Sequence, residues 1–215
     1  MPIIASNLLS DFIYLASQSP RRQELLKQIG VRYEMLLPRP GEDAEGIEIP
    51  FPQEKARDYV KRVTLAKASL ALARWKKTGL PWVPILCADT TVSLPNSADG
   101  EILGKPIDAN DARRILEMLS GKTHEVLTAV ALINNPEDVP NCVVQISEVE
   151  FTYLSSEQIN SYIASEEPFG KAGAYGIQGN AGAFISKITG SYSGIMGLPL
   201  YETAQLLDHA RITRI

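Results

Sequence analysis

The sequence is poor in the residues that build disulfide frameworks and metal centres. Its 215 residues include two cysteines, Cys87 and Cys142, and two histidines, His124 and His209. The cysteines lie far apart in apolar stretches and form no CxxC pair, which excludes a disulfide-stapled scaffold and a structural zinc site. Reduced thiols of this kind are typical of the cytoplasm, where we expect the protein to act.

Long apolar runs and an excess of basic charge are also missing. No apolar stretch approaches the ~20 residues of a membrane helix, and the opening MPIIASNLLSDF lacks the pattern of a signal peptide. The 21 basic and 25 acidic residues give a net charge of −4, so no overall positive field attracts nucleic acid or anionic lipid. We therefore expect no nucleic-acid or membrane partner, and any anionic ligand must be held by a local cluster.

Three common motifs of nucleotide-binding and hydrolytic proteins are absent as well. Neither G-x-G-x-x-G nor G-x-S-x-G occurs, which removes support for dinucleotide-binding and nucleophile-elbow folds. Gly121, Lys122 and Thr123 resemble the end of a P-loop, but Leu116 occupies the position of its first glycine. Any nucleotide chemistry must therefore use another arrangement.

The sequence does contain an alternation of strand-like and helix-like segments. The apolar run 12–16 leads into the polar turn 17–22, in which Ser19 caps a helix that starts at Pro20 and ends at Gly30. Further strands are expected at 31–37, 82–88, 125–133 and 142–153, and further helices at 53–77, 108–119, 155–165 and 200–207. A proline-rich acidic loop is expected at 38–50.

Two local irregularities are expected in these strands. Pro84 indicates a sheet edge or a bulge in the strand that delivers Asp89 at its end. The apolar alternation of the last strand changes phase near Ser147, which indicates a β-bulge. Because strands and helices intermix without a break in composition, they predict one α/β domain over 1–215, with 1–11 as a short N-terminal extension.

The segment 170–197 is unusual because it holds eight of the chain's 15 glycines. Apolar residues such as Tyr175, Ile177 and Phe184 are interleaved with them, which excludes a flexible linker. A collagen-like repeat is excluded too, since the period of three stops after five glycines and proline is missing. Glycines among apolar residues let the backbone approach another backbone or a ligand closely.

The turn SQSPRR gathers groups that bind phosphate. Ser17 and Ser19 supply hydroxyls, Arg21 and Arg22 supply guanidinium groups, and the helix start supplies free N–H groups. Helix N-termini attract anions, and the fork of arginine matches phosphate oxygens. The alternative is an ordinary helix cap with two solvated arginines.

Asp89 is the candidate for chemistry on such a ligand. It follows an apolar strand and precedes Thr90, where α/β proteins place ligand-facing groups, and its carboxylate can hold Mg²⁺ or take a proton from water. The alternative is a turn or cap aspartate. Glu34 could add a second oxygen ligand, although strand alternation favours a solvent-facing charge. Three further lysines are each expected to be solvated surface residues: Lys67, Lys105 and Lys171. They become candidate contacts of an anionic ligand only if they lie close to the two arginines.

Several blocks of the sequence together resemble one family. They are LASQSPRRQELLKQIG at 15–30, ADT at 88–90, ILGKP at 102–106, LSGKTHEVLTAVAL at 119–132, KAGAYGIQG at 171–179 and ITGSYSGIMGLPL at 188–200. In this order and spacing the chain resembles the Maf family of nucleoside triphosphate pyrophosphatases from about residue 14 to 207. The block KAGAYGIQG resembles the subfamily that acts on dTTP and UTP, and not the sister branch that acts on 7-methyl-GTP.

The resemblance implies a fold and a reaction. The fold is an inosine triphosphatase-like α/β architecture, in which a mixed twisted sheet with flanking helices forms two lobes around a central cleft. The reaction converts a nucleoside triphosphate to the monophosphate and pyrophosphate with Mg²⁺ or Mn²⁺. A homodimer is also implied.

The resemblance also implies roles for particular residues. Asp89 corresponds to the proposed catalytic base, which can alternatively hold the metal. The specificity positions of the family match Arg21, Thr90 and Gln178, and its phosphate contacts match Ser19, Arg22, Lys67 and Lys105. Glu34 matches a carboxylate implicated in metal or substrate binding, and Lys171 is a weaker match.

One departure and two alternatives qualify this interpretation. The family has aspartate before KAG, where this chain has Gly170. If that aspartate positions the metal or the glycine loop, the rate here is lower but the reaction is the same. The alternatives are a 7-methyl-GTP pyrophosphatase and a non-catalytic nucleotide-binding regulator of septum formation.

Overall fold

The computed structural model describes residues 11–38, 46–95 and 101–214. A mixed sheet of seven strands forms the centre of the fold. The strands are β1 (Ile13–Leu15), β2 (Tyr33–Met35), β3 (Ile85–Leu94), β4 (Glu101–Leu103), β5 (Thr123–Ile133), β6 (Asn141–Phe151) and β7 (Ile185–Thr189). Six of them follow the order β2-β1-β3-β5-β6-β7, and β4 pairs with β3. The strand β1 is parallel to β2 and β3, and the other pairs are antiparallel.

Six α-helices within the described ranges accompany the sheet. They are α1 (Pro20–Gln28), α2 (Ala56–Trp75), α3 (Ala109–Leu119), α4 (Ser156–Ala164), α5 (Tyr192–Met196) and α6 (Leu200–His209). All five helices expected from the sequence are present, and α5 is additional. The side chain of Asp108 caps α3, and Ser155 with Gln158 forms the expected capping box of α4. Ser19 is the N-cap residue of α1, but its hydroxyl makes no capping bond.

The helix α2 packs along one face of the sheet through small and branched side chains. Val60, Val63, Ala68 and Ala71 are fully buried and contribute to the cores formed with β3 and β5. Alanine side chains let a helix approach a sheet closely. This proximity brings Lys67, on the same helix, to the middle of β3.

Apolar packing forms two further groups that define two lobes. On the opposite face of the sheet, Leu26 and Leu207 from α1 and α6 pack with Leu15 and Leu86, and each such buried leucine stabilises the fold by about 2 kcal/mol. A separate cluster that includes Phe151 lies under α3, α4 and the glycine-rich segment. The fold is therefore a mixed α/β architecture with flanking helices, as the sequence predicts.

The middle of β3 has a gap beside it. The strand β1 pairs with β3 as far as Leu86, and β4 begins to pair with β3 at Val92. No strand within the described residues fills the interval, which contains Asp89 and Thr90. Successive side chains of a strand point to opposite faces, so Asp89 faces α2 and Thr90 faces α1. The interruption opens a cleft between the lobes that both residues reach, as at the switch points of α/β sheets.

Two predictions about β3 are wrong. Asp89 lies inside this ten-residue strand and not at its end, because β5 pairs with β3 continuously from Ile85 to Ser93. Pro84 marks neither an edge nor a bulge: it precedes a central strand, so its missing N–H falls before the ladder between β3 and β5.

The predicted bulge near Ser147 is also wrong. The register between β5 and β6 runs unbroken, from Thr123 opposite Glu150 to Leu132 opposite Asn141. The apolar pattern changes because different cores cover the two faces of β6: Val144 packs with the α2 side, whereas later residues join the other lobe. The one register irregularity of β6 lies against β7, between Glu150 and Phe151.

Part of the chain lies outside the described residues. It includes 1–10 of the expected N-terminal extension and 39–45 of the expected acidic loop. The single domain over 1–215 therefore stays a prediction. No helix of the described residues has both the length and the apolar character needed to cross a membrane.

Candidate active site

A cavity of about 640 Å³ opens where the middle of β3 is uncovered. Its walls come from the turn 16–22 between β1 and α1, from 88–90 of β3, from one side of α2 and from the segment 169–178. A concave site of this size accommodates a small molecule. We therefore expect the predicted site residues to line this cavity.

Nearly all residues that the sequence singled out line this cavity. They are Ser19, Arg21, Arg22, Lys67, Asp89, Thr90, Lys105, Gly170, Lys171 and Gln178. The three lysines, which the sequence alone treats as surface residues, do converge with the two arginines. A strongly cationic cavity within an acidic protein is the local anion site that the net charge of −4 requires.

Arg22 is held firmly on the α1 side of the cavity. Its Nε donates to the carbonyl oxygen of Gly197 at 2.8 Å, and Nη1 donates to Ser17 Oγ at 3.0 Å. Its Nη2 lies 3.4 Å from Thr90 Oγ1. Burial lowers the pKa of Arg22 and the charge of Asp89 opposes that effect, but arginine keeps its proton in proteins. Its positive charge is thus a fixed property of the cavity.

The hydroxyl groups of Thr90 and Thr128 form a hydrogen-bonded chain that leads from Arg22 into the sheet. Thr128 on β5 donates its proton to the carbonyl oxygen of Gly194 at 2.7 Å. The hydroxyl oxygens of Thr90 and Thr128 are 2.9 Å apart. Because the single proton of Thr128 is already used, Thr90 is the donor between them and its oxygen accepts from Arg22. Sequence reasoning missed Thr128, since no pattern distinguishes one buried strand threonine from another.

Arg21 and Lys171 add charge that faces the ligand space. No described residue accepts a hydrogen bond from Arg21, which lines the cavity. Burial lowers the pKa of the Lys171 ammonium, and the charge of Arg21 lowers it further. Lys171 donates to the carbonyl oxygen of Glu167. Two neighbouring positive charges on the cavity wall favour the binding of an anion.

Two carboxylates share the ammonium of Lys67 on the α2 side. Lys67 Nζ lies 2.5 Å from Asp89 Oδ1 and 2.7 Å from Glu48 Oε1. The second oxygen of Glu48 accepts from Lys105 at 2.8 Å. Asp89 is 8% exposed, and pairing between partly buried charges is stronger than between surface charges.

Glu48 is a second residue of the site that sequence reasoning missed, and it lines the cavity. It ends the 3₁₀ turn Gly46–Glu48. Burial disfavours its charged form, but Lys67 and Lys105 outweigh this effect and hold the pKa of Glu48 below its ordinary value. Within a stretch that the sequence predicts as an irregular acidic loop, no periodicity distinguishes the one glutamate that faces the cavity.

The position of Glu34 does not fit the metal or substrate role that the resemblance implies. It lies exposed on β2, in a separate hollow that Phe12 and Lys27 also line. The strand β1 stands between β2 and β3, so a whole strand separates Glu34 from Asp89. The solvent-facing interpretation agrees with this position, and Glu48 is the carboxylate that accompanies Asp89.

The glycine-rich segment forms the wall that carries Gln178. Gly173 has φ +70°, and a Cβ at this position would lie 2.7 Å from Cγ2 of Val92. Only glycine lets the segment pack so closely on β3. The prediction of close approach is confirmed at Gly173, whereas a Cβ at Gly170 would meet nothing within 4 Å.

The residues beyond Gln178 are tied to Glu167. Its two carboxylate oxygens accept from the Tyr162 hydroxyl at 2.9 Å and from the Asn180 N–H at 3.0 Å. These hydrogen bonds to Glu167 therefore stabilise the loop that contains Gln178. Its amide presents both a donor and an acceptor to a ligand.

Tyr175 in the cavity wall is supported from below by His124. The Nε2 of this fully buried histidine lies 2.8 Å from the Tyr175 hydroxyl. Burial lowers the pKa of His124 to about 4, so the ring is neutral at pH 7. His124 serves the packing of the wall and is no ligand-facing imidazole.

Comparison with known proteins identifies relatives along nearly the whole chain. Residues 12–210 match the family model described as Maf-like protein. A dTTP/UTP pyrophosphatase of Burkholderia orbicola (strain AU 1054) is 55% identical over 212 residues, which cover 99% of each chain. A dTTP/UTP pyrophosphatase of Albidiferax ferrireducens is 57% identical over 200 residues, 93% of this chain and 97% of the relative. One of Ralstonia nicotianae is 57% identical over 201 residues, 94% and 95% of the two chains.

Proposed function

The chain belongs to the Maf family, and from this premise we propose that it hydrolyses dTTP and UTP to the nucleoside monophosphate and pyrophosphate. The observation that carries this proposal is the convergence of Asp89 with four cationic side chains on one cavity: Arg21, Arg22, Lys67 and Lys105. The full-length relatives with this activity in their names support the choice of substrates.

The cationic groups bind the triphosphate and stabilise the leaving pyrophosphate. Arg22 is fixed by its bonds to Gly197 and Ser17 before any ligand arrives. The start of α1 adds backbone N–H groups, which favour phosphate at a helix N-terminus. Preorganised donors of this kind stabilise charge that develops in the transition state.

Asp89 accepts a proton from the water that attacks the α-phosphorus. The bond that breaks joins the α-phosphorus to the oxygen that bridges it to the β-phosphate, and pyrophosphate leaves with that oxygen. Lys67 fixes one oxygen of Asp89 at 2.5 Å, which restricts the carboxylate to one orientation. A positioned base of this type contributes roughly 10²–10⁴ to the rate.

A divalent cation, Mg²⁺ or Mn²⁺, fits the acidic side of the cavity. Asp89 Oδ1 and Glu48 Oε1 already converge on one positive charge, the ammonium of Lys67. In the described ranges, no group of three or more His, Cys, Asp or Glu residues is arranged so that it could hold a metal by itself. Mg²⁺ is usually bound by one or two carboxylates together with substrate phosphates. Asp89 and Glu48 would hold an ion that arrives with the nucleotide, and the bound ion would polarise phosphate oxygens.

Gln178 selects the base. Uracil and thymine present a carbonyl oxygen next to an N–H, and the amide of Gln178 pairs with both. Glycine neighbours of Gln178 let main-chain groups also come near the base. These features support a pyrimidine substrate for the cavity.

A panel of substrates tests the proposed function. The purified protein is incubated with dTTP, UTP, CTP, ATP, GTP and 7-methyl-GTP in the presence of Mg²⁺, and the products are separated. We expect monophosphate and pyrophosphate from dTTP and UTP. Orthophosphate with a diphosphate would contradict attack at the α-phosphorus, and turnover of 7-methyl-GTP alone would indicate the sister activity. Thermal stabilisation by nucleotide without any product would indicate a non-catalytic regulator.

We also propose that the protein acts in the cytoplasm as a homodimer. The free thiols of Cys87 and Cys142 support a reducing compartment, and the resemblance to the family implies the dimer. Light scattering coupled to size-exclusion chromatography measures the mass, and a monomer at micromolar concentration would refute the second part.

A further inference from the structure

The guanidinium group of Arg62, on α2, binds side-chain and main-chain oxygens of one short segment of the chain. Its Nε and Nη2 donate to the two carboxylate oxygens of Glu54 at 2.6 and 2.8 Å. The same group donates to the carbonyl oxygens of Ile47 and Ile49, each at 3.0 Å. All of these partners belong to residues 46–54, which we call the strap.

Further contacts complete the attachment of the strap to α2. The guanidinium carbon of Arg62 lies 4.2 Å from the centre of the Phe51 ring, within the range of a cation–π contact. Glu54 also accepts from the backbone N–H of Phe51 at 3.0 Å. The Tyr59 hydroxyl donates to the carbonyl oxygen of Glu48 at 2.8 Å. The strap is thus bound to the helix along its length.

Polar contacts, and not apolar burial, hold the strap. Ile49 and Phe51 are 65% and 60% exposed, so hydrophobic packing contributes little here. Charge-assisted bidentate bonds are about twice as strong as neutral ones. Arg62 therefore supplies most of the attachment, and lysine cannot replace it, because a single ammonium lacks the planar fork.

The strap carries Glu48 into the cavity. The carboxylate of Glu48 bridges Lys67 and Lys105 at 2.7 and 2.8 Å, and Lys67 in turn contacts Asp89. Any loosening of the strap withdraws Glu48 from both lysines. The charges around Asp89 then change, although Arg62 itself does not line the cavity.

We propose that Arg62 is a positioning residue for hydrolysis of the nucleotide: it fixes the strap and so places Glu48 between Lys67 and Lys105. This inference rests on the proposed function. It makes a prediction that a merely stabilising role does not make. The effect of losing Arg62 must pass through Glu48.

A double-mutant cycle tests this dependence. The value of kcat/KM for UTP is measured for the wild type, Arg62→Met, Glu48→Gln and the double variant, with Arg57→Met as the control for an exposed arginine on the same helix. We expect Arg62→Met to lower kcat/KM at least fivefold in the wild-type background and less than twofold in the Glu48→Gln background. Arg57→Met should stay within twofold of the wild type. A loss smaller than fivefold, or an equal loss in both backgrounds, overturns the proposal.

The conservative variant Arg62→Lys separates charge from geometry. It keeps the positive charge but not the fork or the reach to two carbonyl oxygens. We expect its activity to match that of Arg62→Met within twofold. Wild-type activity in Arg62→Lys would overturn the role assigned to the bidentate contact.

Hydrogen–deuterium exchange gives a readout that does not depend on turnover. The N–H of Phe51 is bonded to Glu54, whose orientation depends on Arg62. We expect exchange of the strap to accelerate at least fivefold in Arg62→Met, with unchanged exchange in β5 and α6. Unchanged exchange of the strap overturns the proposal. A wild-type chain without turnover on any nucleotide refutes the proposed function instead, while the exchange measurement still decides whether Arg62 fixes the strap.

Discussion

The Nζ of Lys67 lies 2.5 Å from Oδ1 of Asp89, in the middle of a central strand. The lysine comes from a helix whose buried alanines bring it close to the sheet, and the aspartate comes from the interval where β3 lacks a neighbour. Charges in such a partly buried pair are screened less than those of surface pairs. Each partner therefore fixes the position of the other, and either can be removed to test the site.

Asp89→Asn tests the carboxylate alone, because the side-chain shape is nearly kept. We expect kcat for UTP to fall at least a hundredfold, since a general base contributes roughly 10²–10⁴ to the rate. Pyrophosphate release measures the effect, and Asp58→Asn on the exposed side of α2 is the matched control. An Asp89→Asn variant that keeps a tenth of the wild-type rate would remove Asp89 from the catalytic role.

Lys67→Met removes the cation that lies between two carboxylates. Burial already works to raise the pKa of Glu48, and Lys67 supplies the largest opposing effect. Without Lys67 the pKa of Glu48 rises, so the group takes up its proton at higher pH. We expect the acidic limb of the profile of kcat/KM against pH to move to higher pH. Lys61→Met, exposed on the same helix, should leave that limb in place, and an unmoved limb in Lys67→Met would contradict the coupling.

Thr128→Val tests the chain of hydroxyls behind Arg22. The change in shape is small, but the carbonyl oxygen of Gly194 and the hydroxyl of Thr90 lose their buried partner. We expect a loss of about 1–3 kcal/mol in the free energy of unfolding, measured with urea. The KM for UTP should rise several-fold, because Thr90 no longer holds Arg22 in place.

The matched control for this change is Thr91→Val in the neighbouring strand. The hydroxyl of Thr91 is buried, and no described residue hydrogen-bonds to it. Its removal should leave the free energy of unfolding unchanged or raise it, because no bond is lost and an uncompensated polar group disappears. Equal destabilisation by both variants would contradict the hydroxyl chain.

Local sequence pattern predicted the helices well and the strands less completely. The apolar residues of α2 and the polar caps of α3 and α4 are local signals, and the structure confirms the three helices. The buried face of α2 was predicted only for its first half, since Ala68 and Ala71 are buried where the pattern favoured Leu70 and Ala73. The strands β4 and β7 were missed, since they have three and five residues and little burial. The full length of β3 was missed for another reason: Thr91 and Ser93 are polar yet buried, because the long ladder with β5 continues through them.

The site was predictable where a motif marks it and unpredictable where distant contacts build it. The resemblance to the family pointed to Arg22, Asp89 and Lys105, which do meet in the cavity. Glu48 reaches Lys105 across 57 positions of the chain, and Thr128 reaches its partner carbonyl across 66. No local period encodes such contacts. For Glu34 the expected role and the position disagree, since β1 lies between its strand, β2, and β3.

Gly173→Ala is expected to disturb the wall that carries Gln178. Its φ of +70° strains any side chain, and its Cβ would press within 2.7 Å of Val92. Gly79 provides a control with nearly the same backbone, at φ +71°, and nothing within 4 Å of its Cβ. Gly79→Ala should cost about 1–2 kcal/mol of stability from the backbone alone. Gly173→Ala should lower the free energy of unfolding by about 1–3 kcal/mol more than Gly79→Ala does, because of overpacking. It should also reduce turnover. Equal losses for the two variants in urea unfolding would refute the packing role.

His124 makes the stability of the fold depend on pH. Burial lowers its pKa from 6.5 to about 4, so between these values the unfolded chain binds a proton that the folded chain does not. The stability linked to this group is therefore fully present above pH 6.5 and is lost as the pH falls toward 4. At pH 5 the loss amounts to about 2 kcal/mol.

Urea unfolding of the wild type and His124→Gln at pH 7.5 and pH 5 measures this effect. Glutamine can still bond to the Tyr175 hydroxyl but does not titrate, so the stability advantage of the wild type should shrink by about 2 kcal/mol at the lower pH. The exposed His209 supplies the control, since His209→Gln should keep the pH dependence of the wild type. The contrary outcome is that His124→Gln loses as much stability between the two pH values as the wild type does. The acid sensitivity then arises from other groups, and packing of the cavity wall does not require a neutral His124.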